Sequence, residues 1–228
     1  MAPLPSCSDI FVQNTHRLIP TKHLDQDSVL DRIADDKAHL DDIFDLDNAT
    51  NDRLVAENNL LPGIGLEELV GGTYHYRVVN ASFCHASPEG SRFNGPDRGA
   101  WYAGLDLDTA IAEILFHKSI EYAEIDYDDV DRVFYADFLA NFDCEFHDVR
   151  NAPEFVWCLN PDSYAKSQLL ARQLLEEGSN GIIYPSVRHK EGECVACFKP
   201  ALVGNVRRDK ELMFQWNGRI KKPTFVVV

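Results

Sequence analysis

The stretch GAWYAGLDLDTAIAEILFH, residues 99–117, decides the class of fold. From Gly99 to Gly104 it sets two aromatic residues and two alanines between glycines, the texture of a short strand. Asp108 or Thr109 then caps a helix from Ala110 to about His117 that turns Ile111, Ile114 and Leu115 inward. Strands are expected on both sides of it. Before it, Thr73 to Val79 is aromatic and β-branched and reads as a strand, and Ala86 to Arg98, with two prolines, reads as a loop. After it, strands are expected near 132–138, 181–184, 193–199, 212–216 and 223–228. Between them Asn160, Pro161 and Asp162 open a helix with proline at its first position, and Gly178 ends it. Two early strands, a helix and several later strands make a mixed α+β core rather than a doubly wound sheet. The glycine-rich, Walker, HExxH and GxSxG signatures are missing, so Rossmann, P-loop, zincin and ordinary α/β-hydrolase readings have nothing to rest on.

Working outward, residues 1–23 show no period and hold three prolines, which suggests a strap or partly ordered tail. Residues 27–46 carry Val29, Leu30, Ile33, Leu40, Ile43 and Phe44 on one helical stripe, with Asp31, Asp35, Asp36, Lys37, Asp41 and Asp42 opposite. That amphipathic helix, capped by Asp25 or Asp27, is expected to pack on the core or on a second copy of the chain, which leaves a homodimer open. A shorter helix is expected over Asn51 to Asn58, stopped by Leu61, Pro62 and Gly63. The chain thus divides into an N-terminal helical extension, 1–70, and a main domain, 71–228.

With 228 residues, 45% hydrophobic and 26% charged, the chain suits one large folded domain. Its formal charge of −15 argues against general affinity for nucleic acid or anionic membranes. The charge is uneven: 14 acids against 5 bases over residues 1–70, 16 against 6 over 71–160, and 7 against 11 over 161–228. Any anionic ligand must therefore be held by a few placed arginines. No apolar run approaches the ~20 residues of a membrane span, and the N-terminus lacks the basic and apolar regions of a signal peptide, so a cytoplasmic location is expected. The six cysteines read as reduced and mostly buried. Cys194 and Cys197 form a CxxC on an expected strand, where positions three apart face opposite sides, so two buried thiols are expected and no metal site.

Four polar residues stand out, each with an ordinary alternative. Arg77 sits among Tyr76, Val78 and Val79, where a charge needs an ion pair or a bound anion. Arg92 lies in the loop Gly90-Ser-Arg-Phe-Asn-Gly95, either solvated or near a ligand that the glycines let approach. Glu113 is at the edge of an apolar helical stripe, as a boundary residue or a functional one. Ser186 ends the Gly181-Ile-Ile-Tyr-Pro-Ser strand, in a plain turn or a site.

Taken in order, these elements resemble the RES-domain family, named for an Arg, a Glu and a Ser. The resemblance rests on Tyr76-Arg77, Ser91-Arg92-Phe93-Asn94, Trp101-Tyr102-Ala103, Thr109-Ala-Ile-Ala-Glu113 and Tyr184-Pro185-Ser186, and spans about residues 71–205. Ser91 departs from the glycine common before the loop arginine, and residues 1–70 exceed a minimal RES domain.

The resemblance implies an ADP-ribosyltransferase-like fold and an enzyme acting on NAD+ as substrate, typically the toxin of a bacterial toxin–antitoxin pair. It implies an Xre-type antitoxin as partner and no separate cofactor, with inorganic phosphate open as a co-substrate. The residue types suit that chemistry. Glu113 can stabilise an oxocarbenium-like ribose as nicotinamide leaves. Arg77 and Arg92 can clamp the pyrophosphate, Tyr102 can stack on nicotinamide or ribose, and Ser186 can hydrogen-bond a ribose hydroxyl or the carboxamide. Arg188 and His189 either edge this site or are surface residues. Water, phosphate or a protein can be the acceptor, and a non-catalytic NAD-binding module is the alternative from another class.

Overall fold

The longest strand, β3 (Val130–Asp148), organises the protein, whose computed structural model describes residues 3–24, 61–218 and 223–228. Along β3, alternate residues Ala136, Phe138, Ala140, Phe142 and Phe146 fall in one buried cluster, while Tyr135 packs on the opposite face. Period-two alternation thus gives the strand two apolar sides.

One edge of β3 pairs antiparallel with β1 (Cys7–Pro20), from Cys7 opposite His147 to Pro20 opposite Tyr135. Its other edge pairs with β6 (Gly204–Asn217) and, at its end, in parallel with β4 (Gly181–Pro185) through His147–Ile182 and Asp148–Ile183. β4 continues antiparallel to β5 (Glu193–Cys197), and β5 to β2 (Trp101–Gly104). β2 meets β1 at the single pair His16–Gly104. Five strands therefore close into a ring, β1-β2-β5-β4-β3, thin at the β1–β2 and β3–β4 seams, with β6 and β7 (Thr224–Val227) running off β3.

The ring encloses Trp101, Phe138, Phe142, Phe146, Ile183 and Val195, and the helix α1 (Tyr76–Cys84) adds Val79 and Phe83 to this cluster. At ~1.5–3 kcal/mol for each such side chain, this interior is the main stabilising element of the fold. Outside the ring, the helix α3 (Ala165–Glu176) and the 3-10 turn Pro153–Leu159 cover Ile182, Tyr184, Cys194 and Ala196. The helix α2 (Leu107–Glu124) lies over the other outer face, where Ala110 and Tyr122 join Leu18, Tyr135, Leu212, Phe214 and Trp216. The two cysteines of the CxxC face opposite ways, Cys194 into the outer cluster and Cys197 into the ring.

The mixed α+β class is as expected, with four corrections to its parts. Thr73 to Val79 is not a strand: α1 begins at Tyr76 behind His75 at φ 59°, and Val79 and Phe83, four apart, bury one helical face. Residues 7–20 are no strap, because they form a full stave of the ring. The cap of α2 is Asp106, whose carboxylate accepts from the Thr109 backbone N–H at 2.8 Å, and the helix runs on to Glu124. The helix expected from Pro161 starts only at Ala165, since Asn160 Oδ1 accepts from the Asp162 N–H at 2.8 Å and turns the chain first. The helices expected over 27–46 and 51–58 lie outside the described residues.

Candidate active site

Four of the five expected site residues gather where β2, β4 and β5 present their outer face between α2 and α3. Tyr102 stands on β2 between Trp101 and Ala103, which point into the ring, so its side chain reaches the outer cluster. Its hydroxyl accepts the Phe93 N–H at 2.8 Å and donates to Asn94 Oδ1 at 2.8 Å. Tyr102 therefore anchors the loop that carries Arg92, and the stacking expected of it falls to the ring alone. Gly90, at φ +73°, admits the turn into this loop, because a Cβ there would lie 2.2 Å from the Asn94 carbonyl oxygen.

Arg92 is only 6% exposed, yet no carboxylate pairs with it among the described residues. Its Nη1 donates to the Asn160 and Cys158 carbonyls at 2.8 and 3.3 Å, and the guanidinium lies 4.7 Å from the Tyr164 ring centre. Nε and Nη2 meet no acceptor among the described residues and are not among the fully buried, unsatisfied atoms. A cation held by carbonyl dipoles alone, with one edge of its fork unused, has the geometry to accept an anion.

Glu113 comes from the first half of α2. Its Oε1 accepts from Ser186 Oγ at 2.8 Å and from Cys194 Sγ at 3.9 Å, whereas Oε2 meets no donor among the described residues. Ser186 is itself fixed. Its N–H donates to the Gly192 carbonyl at 2.8 Å, and its Oγ accepts from the backbone N–H groups of Arg188 and His189 at 3.1 and 3.0 Å. With both lone pairs satisfied, the hydroxyl hydrogen is directed at the carboxylate. Burial, reinforced by the negative charge of Glu113, pushes the Cys194 thiol far above its usual range, so it stays a neutral donor.

Arg188 and His189 also sit here. The Arg188 guanidinium packs 3.2 Å from the Phe116 ring centre and its Nη2 donates to the Pro161 carbonyl. His189 Nδ1 bonds Thr109 Oγ1 at 2.8 Å, and Thr109 Oγ1 donates to Asp106 Oδ2 at 2.7 Å. This ties the 186–192 turn to the start of α2.

Arg77 is carried by α1. Its helix α1 packs with Trp101 and Ala103, the face of β2 opposite Tyr102. Its Nε donates to the Tyr76 hydroxyl at 3.2 Å, and the guanidinium lies 5.9 Å from the Tyr76 ring centre. Two titratable groups near the site carry no motif. His117 follows Glu113 by one helical turn, and that spacing is its only sequence signal. Arg17, on β1, donates to the Tyr102 carbonyl at 3.0 Å across the thin seam and stacks 5.0 Å from the Trp101 ring centre, where burial lowers its pKa to about 10.

Among the described residues, no group of three or more His, Cys, Asp or Glu could hold a metal ion, and no helix is long and apolar enough to cross a membrane.

No curated protein matches the chain. Among solved structures, a chain of the M. tuberculosis MbcT–MbcA toxin–antitoxin complex aligns with 58% of this chain and 73% of its own, at 12% identity and a TM-score of 0.41. The RES domain, as a family model, matches residues 68–217, which take in α1, the Arg92 loop, Glu113 and Ser186, and by that match the chain belongs to the RES-domain family.

Proposed function

We propose that this protein is an NAD+-degrading enzyme that cleaves the nicotinamide–ribose N-glycosidic bond, with water or inorganic phosphate as acceptor. In this reading it is the toxin of a bacterial toxin–antitoxin pair, held in check by an Xre-type antitoxin. Membership of the RES family supports the class of reaction. The observation that carries the reading is the Glu113–Ser186 hydrogen bond of 2.8 Å in the same site as the carboxylate-free Arg92.

A carboxylate oriented by a serine is suited to a ribose that becomes cationic as nicotinamide departs with the C1″–N electron pair. Such a group stabilises the transition state more than the ground state, because the positive charge on the ribose develops only as the bond breaks. Arg92 offers the unused edge of its fork to the pyrophosphate. Arg77 is the second proposed clamp, acting from α1, and Ser186 is proposed to exchange its bond to Glu113 for one to a ribose hydroxyl or the carboxamide.

The test is direct. Purified protein is incubated with NAD+ with and without phosphate, and the products are resolved by mass spectrometry. Nicotinamide with ADP-ribose identifies hydrolysis; nicotinamide with ADP-ribose 1″-phosphate identifies phosphorolysis. Intact NAD+ in both incubations refutes the proposal, and ADP-ribose recovered only on protein replaces it with protein modification.

A further inference from the structure

Glu113 favours departure of nicotinamide, but hydrolysis also needs a group to take the proton that water loses as it bonds to C1″. We propose that His117 is this general base, and so the residue that separates water from phosphate as acceptor. The inference rests on the NAD+ reading above.

The geometry places His117 on the cleft side of α2. Residues four apart on a helix share a face, with Cβ atoms ~6 Å apart, and Glu113, one turn earlier, points to Ser186. Arg188 reaches the same face from the 186–192 turn to cover Phe116, whose ring centre lies 5.4 Å from that of His117. His117 is only partly enclosed and stays open to solvent, so water has access to it.

Charges from three elements act on the imidazole: Glu113 on α2, Arg188 on the turn and Arg92 on its loop. Desolvation holds the pKa of His117 below the usual 6.5; Glu113 opposes this, and Arg188 and Arg92 add to it. The imidazole is therefore neutral at pH 7, the form that accepts a proton.

The step balances. The electron pair of the C1″–N bond leaves with nicotinamide, the water oxygen bonds to C1″, and its proton passes to the unprotonated ring nitrogen of His117 and then to solvent. Phosphate dianion attacks through an oxygen that carries no proton, so phosphorolysis does not need the base.

His117→Ala tests this with three readouts: ADP-ribose formation, ADP-ribose 1″-phosphate formation at saturating phosphate, and exchange of labelled nicotinamide into NAD+. Hydrolysis should fall ~100-fold, as for loss of a general base. Phosphorolysis, where the wild type performs it, and nicotinamide exchange should stay within about threefold, since neither uses the base. Wild-type hydrolysis should decline only below pH 6.5, as the imidazole protonates, and this limb should be missing from the variant's residual rate. Equal loss of hydrolysis and exchange would overturn the proposal, because His117 would then serve binding or bond cleavage. Unchanged hydrolysis would overturn it too. A wild-type protein that releases no nicotinamide is a separate result, one that removes the enzyme reading itself.

Discussion

Replacing Glu113 by Gln removes one negative charge and little else. The side-chain oxygen of Gln can keep the bonds that Oε1 receives from Ser186 and Cys194, while its NH2 takes the place of Oε2, which meets no donor among the described residues. The fold should therefore lose less than about 1 kcal/mol, within the net range of a single hydrogen bond. The catalytic cost is larger. A carboxylate ~4 Å from a full positive charge gains about 4 kcal/mol at the effective dielectric of a half-buried site, which is ~1,000-fold in rate. An oxocarbenium ion shares its charge between C1″ and the ring oxygen and is only partly formed at the transition state, so a ~100-fold loss of kcat is expected. KM for NAD+ should change much less than kcat, because in the ground state the positive charge sits on the pyridinium and reaches the ribose only as the bond breaks. Nicotinamide release followed by chromatography, beside a thermal melt of each protein, measures both effects. A folded Glu113→Gln protein with kcat within about threefold of wild type would refute the electrostatic role of this carboxylate.

Further expectations follow from other parts of the site. Arg92→Ala should raise KM for NAD+ by at least ~10-fold, with Lys restoring only part because it lacks the bidentate fork; equal KM values for wild type and Arg92→Ala would show that Arg92 only supports the loop. Arg77→Ala, assayed alongside, asks whether α1 reaches the same ligand, and an unchanged KM would remove Arg77 from the clamp. Gly90→Ala should lower the melting temperature and the activity together, since the left-handed φ of +73° and the Asn94 carbonyl 2.2 Å away leave no room for a Cβ; a variant as stable as wild type would contradict the loop geometry. Burial pushes the Cys158 thiol up to about 11 and the Cys197 thiol up to about 12, whereas unfolded thiols ionise near 9. The unfolded chain then loses protons first, so stability should be intact below pH 9 and decline as pH rises toward 12, and at pH 8 a thiol reagent should modify exposed Cys7 well before these two; modification of all at one rate would refute the burial.

The sequence exposed part of the fold and most of the residues that gather at the candidate site. Arg92, Tyr102, Glu113 and Ser186 were legible because each stands in a short, ordered signature, but the hydroxyl of Tyr102 serving the loop, rather than a ligand, depends on a hydrogen bond that no signature encodes. α1 was misread because Tyr76, Val78 and Val79 prefer strands locally, while the burial of Val79 and Phe83 against Trp101 favours a helix. β1 was missed because a bulge between Val12 and Thr15, with Asn14 at φ 60°, shifts its register, so no single alternation runs through the strand. His117 was overlooked because a lone histidine on a helix forms no motif.

The RES match begins at residue 68, yet the strand that closes the ring ends at Pro20. The bounds of the family match and the folding unit are thus different objects. A fragment trimmed to residues 68–217 would leave the β3 edge from Tyr135 to His147 with its backbone N–H and C=O groups unpaired and its aromatic face open. Such an edge invites another chain to supply the missing strand, so the trimmed fragment would be prone to assemble through it. Shortening this protein to its recognisable part would turn a closed surface into an adhesive one.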